Sequence, residues 1–156
     1  DVPADFPWDR AALVNKEPRS NFAALGVTKA DGSPLETDDV PSALILPMGR
    51  DGPAFLAFPN FDIYLAWNKS LVYSLTAAYF ATRLAGAEPV DMGNPAPSLT
   101  LDETKALQQK LVDLGHDVGG IDGIIGENTR AAVRREQLRL GMPADGWPTA
   151  QLLSAL

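Results

Sequence analysis

The sequence predicts a mainly α chain in two parts: an α+β segment with one short β-hairpin, then a small domain of three helices. Three observations carry this. Two short apolar runs flank a glycine-containing turn, helical periodicity begins after Pro59 and again after Thr100, and prolines crowd the stretch between. The resulting boundaries are 1–86 for the first part, 87–99 for a linker and 100–156 for the last domain.

Residues 1 to about 42 read as irregular, broken by Pro3, Pro7, Pro18, Pro34 and Pro41. Within them Phe22–Val27 predicts a short helix closed by Gly26, and Asp31-Gly32-Ser33-Pro34 a turn. The apolar runs 43–47 and 54–58 around Gly49-Arg50-Asp51-Gly52 predict the hairpin. Phe61–Trp67 reads as a short helix with Asp62 in its first turn, where a carboxylate suits the helix dipole. A longer helix follows from about Ser70 to Leu84. Its apolar arc is wide (Leu71, Leu75 and Ala78 on one face, Tyr73, Ala77, Phe80 and Leu84 on the next), so it is expected to be buried on most sides. Residues 1–85 offer few partners for such a helix, which points to a missing upstream part.

Pro89, Pro95 and Pro97 make the linker extended and semi-stiff, with few apolar residues to join the two halves. The halves are therefore expected to fold independently. Thr100 and Glu103 form a capping-box signature ahead of a helix whose stripe is Leu107, Leu111 and Leu114, stopped by Gly115. The second helix is expected from about Asn128 to Leu140, burying Ala132 and Val133. The third runs from about Thr149 to Leu156, presenting Leu152, Leu153 and Leu156. Asp122-Gly123 and Asp145-Gly146 each precede a helix, so the domain carries a weak internal repeat.

A net charge of −7 argues against nucleic acid, which rewards clustered Lys and Arg, and against docking on anionic lipid. No cysteine is present, so disulfides and thiolate metal sites are excluded. The longest apolar-rich run, 63–87, is interrupted by Asn68, Lys69 and Arg83, and no transmembrane helix is expected. No export signal opens the chain; if the protein is exported, the signal lies upstream. The loop from Asp117 to Glu127 has Gly119 and Ile121 where a calcium loop needs oxygen ligands, so no metal and no cofactor is expected. Asp122 and Asp145 instead suit turns that fold back on their own backbone. His116, the single histidine, lacks the partners of a nucleophilic triad and is expected at the surface.

Two resemblances add a ligand class. The run Leu107–Leu111, Leu114-Gly115, Asp122-Gly123, Gly126, Thr129, Ala132-Val133, Gln137, Gly141 and Asp145-Gly146 resembles the type 1 peptidoglycan-binding domain. Three departures stand out: Glu136 where the family has an aromatic, His116 where it favours another, and Trp147-Pro148-Thr149 in place of a glycine. The first two fall near the shallow groove that the resemblance assigns to wall material.

Residues 3–86 are similar to the membrane-bound lytic murein transglycosylases of the B type. The similarity rests on Trp8-Asp9-Arg10, Phe22–Val27, Ala30-Asp31-Gly32, Gly52–Leu56, Asn60-Phe61 and the segment Trp67–Tyr73. It implies the tail of a lysozyme-like catalytic domain. In such enzymes one glutamate protonates the leaving oxygen of the MurNAc–GlcNAc bond and then helps the MurNAc 6-hydroxyl close a 1,6-anhydro ring. The Glu-Ser motif carrying that glutamate has no counterpart here, so no catalytic residue is assigned and enzymatic activity is left open. Glu17, Glu36, Asp38, Asp39 and Glu88 sit in loops or linker, and Glu103 serves as a cap.

The resemblance places Asn68 and Tyr73, with Trp67, at a sugar cleft, the amide for hydrogen bonds and the rings for stacking. The competing expectation is that Asn68 caps a helix and Tyr73 is core. In the last domain the wall-binding face is expected at Asp122, Gly123, Asn128, Thr129 and Arg130, where an unpaired helix N-terminus could meet stem-peptide carboxylates. The alternative is that Asn128 and Thr129 only cap the helix. Two functions follow: recognition of peptidoglycan, both glycan strand and stem peptide, as the C-terminal portion of a lytic transglycosylase, or a stand-alone wall-binding or scaffold protein. Either belongs to the bacterial envelope or periplasm.

Overall fold

The computed structural model describes residues 1–68 and 70–156; Lys69, inside the Trp67–Tyr73 segment, lies outside the described residues. A 3-10 turn at Trp8–Arg10 leads to β1 (Glu17–Pro18) and α1 (Arg19–Ala24), then β2 (Pro41–Ile45) and β3 (Phe55–Ala57). The helices α2 (Phe61–Trp67) and α3 (Leu71–Leu84) complete the first part. The second is α4 (Leu101–Asp113), α5 (Glu127–Arg139) and α6 (Ala150–Ala155). The mainly α class with a short hairpin and a final three-helix unit is as the sequence predicts.

The hairpin pairs Ala43 with Ala57, Leu44 with Leu56 and Ile45 with Phe55, all antiparallel. A third strand, β1, joins it with Glu17 opposite Ser42. Two residues of Glu-Pro carry no strand pattern, so β1 escapes sequence reading. One face of β2 closes a core of Phe6, Ala11, Phe22, Val27, Leu44 and Leu46. Phe6 stacks near Phe22 with centroids 6.5 Å apart. The second core is Leu107, Leu111, Val118, Ala132, Val133 and Leu152. Leu114 is not in it: it is half-exposed at the C-cap of α4. The chain turns there through Gly115 at φ +89°, and the Gly115 and His116 amides return to the Val112 and Leu111 carbonyls. That pair of bonds satisfies the last carbonyls of the helix, and the same pair ends α1, α3 and α5.

Thr100 and Glu103 form the full capping box at α4. Gln108, wholly buried on α4, builds the first Asp-Gly turn: its side-chain oxygen accepts from Gly123 N (2.8 Å) and its amide donates to Asp122 Oδ1 (3.3 Å) and Ile124 O (3.0 Å). Gln137 on α5 does the same for the second turn, with Gly146 N at 2.9 Å, Asp145 Oδ1 at 2.9 Å and Trp147 O at 3.2 Å. In both turns the aspartate also accepts from the amide two residues on, Ile124 at 2.8 Å and Trp147 at 2.9 Å. The internal repeat is thus a glutamine paired with an Asp-Gly turn, and both aspartates fold back as expected.

One expectation fails. The wide apolar arc of α3 is not buried: Ser74 is its one buried residue, while Phe80 is 62% and Leu84 74% exposed. Its described packing is against α2, where Ser74 Oγ donates to Tyr64 O and Asn68 O, and against β3, where Tyr79 meets Phe55 edge-on at 6.0 Å. A helical pair can bury only its shared side. The two halves also touch. The linker bonds to the first half through Asn94 N to Asp51 O (2.7 Å), and Ala96 O accepts from Trp147 Nε1 (3.2 Å) in the second. These joints are polar, so apolar patterning could not reveal them.

Candidate functional site

The α2–α3 turn gathers the three residues assigned to a sugar cleft. Trp67 ends α2 and is 71% exposed; Tyr73 lies in the first turn of α3 and is 49% exposed. Their rings stand 5.4 Å apart and tilted by 54°. Tyr73 is therefore not core. The turn between them is held by Asn68, whose backbone is extended at φ −142° and whose Oδ1 accepts from Ser70 N at 2.9 Å. Ser70, not Asn68, caps α3 by accepting from Tyr73 N. The side-chain oxygen of Asn68 thus shapes the turn that presents both rings.

The second candidate face is only partly as expected. Asp122 is exposed, and its carboxyl is held below the usual range by the Ile124 amide and then by Gln108. Asn128 is exposed and leans toward Asp117 Oδ2 at 3.4 Å. Gly126 occupies the N-cap of α5 with no side-chain cap, so neither Asn128 nor Thr129 caps the helix. Thr129 and Arg130 are not on the face at all. Thr129 is fully buried, with Oγ1 donating to Val118 O. Arg130 is 5% exposed and donates to Leu46 O (3.2 Å) and Pro47 O (2.6 Å) in the first half. Helical geometry explains both: Thr129 lies one turn before Val133, and Arg130 shares its side of α5 with Gln137. Asp122, Gly123 and Asn128 stay together at the loop.

His116 is also not at the free surface. Its Nε2 lies 2.7 Å from Glu136 Oε1, and Glu136 Oε2 takes Arg139 at 2.7 Å. Burial alone would raise the Glu136 carboxyl; the bonds from His116 and Arg139 more than reverse this and leave it below the ordinary range. The first two departures from the family pattern therefore touch each other, a histidine–carboxylate hydrogen bond standing where the resemblance has two aromatics.

An open cleft of about 940 Å³ lies on the sheet, floored by Leu44, Phe55 and Leu56 and edged by Arg19, Lys29 and Arg50. Glu36 links two of these cations, with Arg19 at 2.9 Å and Lys29 at 2.6 Å. No sequence motif marked Arg19, Lys29, Glu36 and Arg50 as a group, because their grouping arises from strand pairing and loop closure.

An α+β unit with a short antiparallel sheet is thus joined to a three-helix unit built on twin Asp-Gly turns. A family model described as "Transglycosylase SLT domain" matches residues 1–82, and one described as "Putative peptidoglycan binding domain" matches residues 100–156. Two crystal structures of SltB3 from Pseudomonas aeruginosa, in complex with NAG-anhNAM-pentapeptide and with NAG-NAM-pentapeptide, match across 99% of this chain at 36% identity and a TM-score of 0.84. The chain spans 42% of the length of those structures. No curated protein matches. The chain belongs to the transglycosylase SLT family, with the B-type lytic transglycosylases as its kin, and carries a peptidoglycan-binding domain.

Proposed function

We propose that this chain recognises peptidoglycan as the C-terminal portion of a lytic transglycosylase acting on murein in the bacterial envelope or periplasm. The observation that carries the reading is the exposed Trp67–Tyr73 pair. Two large aromatics left in water, tilted around an asparagine turn, make a platform for pyranose rings. The match to SltB3, whose structures hold disaccharide pentapeptides, supports sugar and stem peptide as the ligand class. In the last domain Asp122, Gly123 and Asn128 are the residues left to meet stem-peptide groups.

The exposed face of α3 supports the same reading, since further catalytic-domain helices would cover it. Every described carboxyl group displaced from its ordinary range (Glu17, Asp31, Glu36, Asp38, Glu103, Asp122 and Glu136) is displaced downward. The acid of a glycan lyase needs the opposite shift. The share of this chain is to hold and place the strand, with the proton donor supplied elsewhere.

Trp67→Ala and Tyr73→Ala test this in titrations with disaccharide pentapeptide followed by NMR. Each is expected to weaken binding about fivefold or more, the loss of a stacking contact worth roughly 1 kcal/mol, with the thermal midpoint barely moved. Unchanged affinity in both variants would remove the platform from the account.

A further inference from the structure

A nearly fully buried charge joins the two halves of the molecule. Arg130 of α5 leaves its own domain and donates to the Leu46 and Pro47 carbonyls at the end of β2. Its guanidinium also lies over the Trp147 ring, 5.4 Å from the centroid. Burial draws its pKa down, yet arginine stays charged, so its position is sustained by the carbonyl oxygens and the ring face.

Around it the second Asp-Gly turn fits the loop after β2. Asp145 gives one carboxylate oxygen to its own turn and the other to Arg50 N at 3.0 Å. Gly49 is at φ +79°, and a Cβ there would lie 2.8 Å from Trp147 Cβ and 3.0 Å from Asp145 Oδ2. Trp147 Nε1 ties the same patch to the linker at Ala96 O. Backbone carbonyls that end a strand, a glycine that admits an indole and a doubly used aspartate form one matched surface.

We propose that Arg130, Asp145 and Trp147 are a clasp that locks the peptidoglycan-binding unit to the transglycosylase half, so that the Trp67–Tyr73 platform and the Asp122 loop meet the wall in fixed register. Tandem domains joined by a proline linker would by default move relative to each other. Here four hydrogen bonds cross between loop 46–50, the linker and the last domain at a glycine-sized contact. Arg130 is a positioning residue: its guanidinium is taken up by the Leu46 and Pro47 carbonyls, and it sets where the loop stands. The part concerning the wall rests on the function proposed above; the clasp itself does not.

The absence of cysteine allows unambiguous labelling of the full chain. Spin labels at Asp39→Cys and Ser154→Cys, both exposed and outside the clasp, report the distance between halves by pulsed electron resonance. A single narrow distribution is expected, broadening roughly twofold or more in Arg130→Ala as the default domain motion returns. Gly49→Ala, which attacks the clasp from the other half, should do the same if Arg130→Ala does not fold. A distribution that stays narrow in the folded variants, or is already broad before substitution, overturns the clasp. On sacculi, the loosened variants should bind about tenfold more weakly because the two surfaces lose effective concentration. Broadening with unchanged sacculus binding overturns the register. If the unsubstituted chain fails to bind sacculi while the distances behave as expected, the clasp stands and the wall reading fails.

Discussion

Replacing Gln108 by alanine should cost far more than its place on a helix surface pattern suggests. The side chain is wholly buried and makes four bonds, to Gly123 N, Asp122 Oδ1, Ile124 O and Thr129 Oγ1. Gaining an alanine slightly favours the helix, by a few tenths of a kcal/mol. Against this, the Gly123 amide and the Ile124 carbonyl lose their partner in a partly closed loop, at about 1–3 kcal/mol each when water cannot replace it. The loop is half-open, so the low end applies and the sum is about 2–3 kcal/mol. For a chain of 156 residues unfolding as one unit this lowers the thermal midpoint by roughly 5–10 °C. Calorimetry with urea denaturation measures both quantities. The neighbouring Gln109, exposed and bonded only to Asp113, is the control, and its alanine variant should stay within about 0.5 kcal/mol. Equal small losses at both positions would show that the turn does not depend on its glutamine.

Gly123→Ala should destabilise by about 2–4 kcal/mol, since φ is +81° and the new Cβ would press into Leu101, whereas Gly115→Ala meets open space and should cost only about 1–2 kcal/mol of backbone strain; thermal midpoints of the two variants compare them directly. Glu136, with its pKa lowered in the fold, stabilises at pH values above the ordinary glutamate range, and that contribution is lost as pH falls through the lowered value. Glu136→Gln should therefore flatten the acid limb of the stability–pH curve while costing about 1–3 kcal/mol near neutrality; an acid limb as steep as before would assign it to other carboxylates.

What could be read in advance divides along physical lines. The hairpin, the Thr100 capping box, the glycine stops and the Asp-Gly turns are local, each fixed by residues within a few positions of one another, and all were legible. The apolar faces of α4, α5 and α6 were legible too, because periodicity marks them. The partners of Arg130 are backbone carbonyls 83 and 84 positions away. Such bonds leave no mark in side-chain pattern. The His116–Glu136 contact had a signal in hindsight: two family aromatics were replaced at once by groups that can pair with each other. For α3 the pattern showed that the helix wants a partner, and it could not show which.

The central claim is recognition of the bacterial wall, and co-sedimentation with purified sacculi tests it most directly. The account predicts that the pelleted fraction rises with sacculus load, reversibly and weakly, and that no 1,6-anhydro-muropeptides appear in the supernatant. A chain that stays in the supernatant at every load, no better retained than an unrelated acidic protein of similar size, would contradict it.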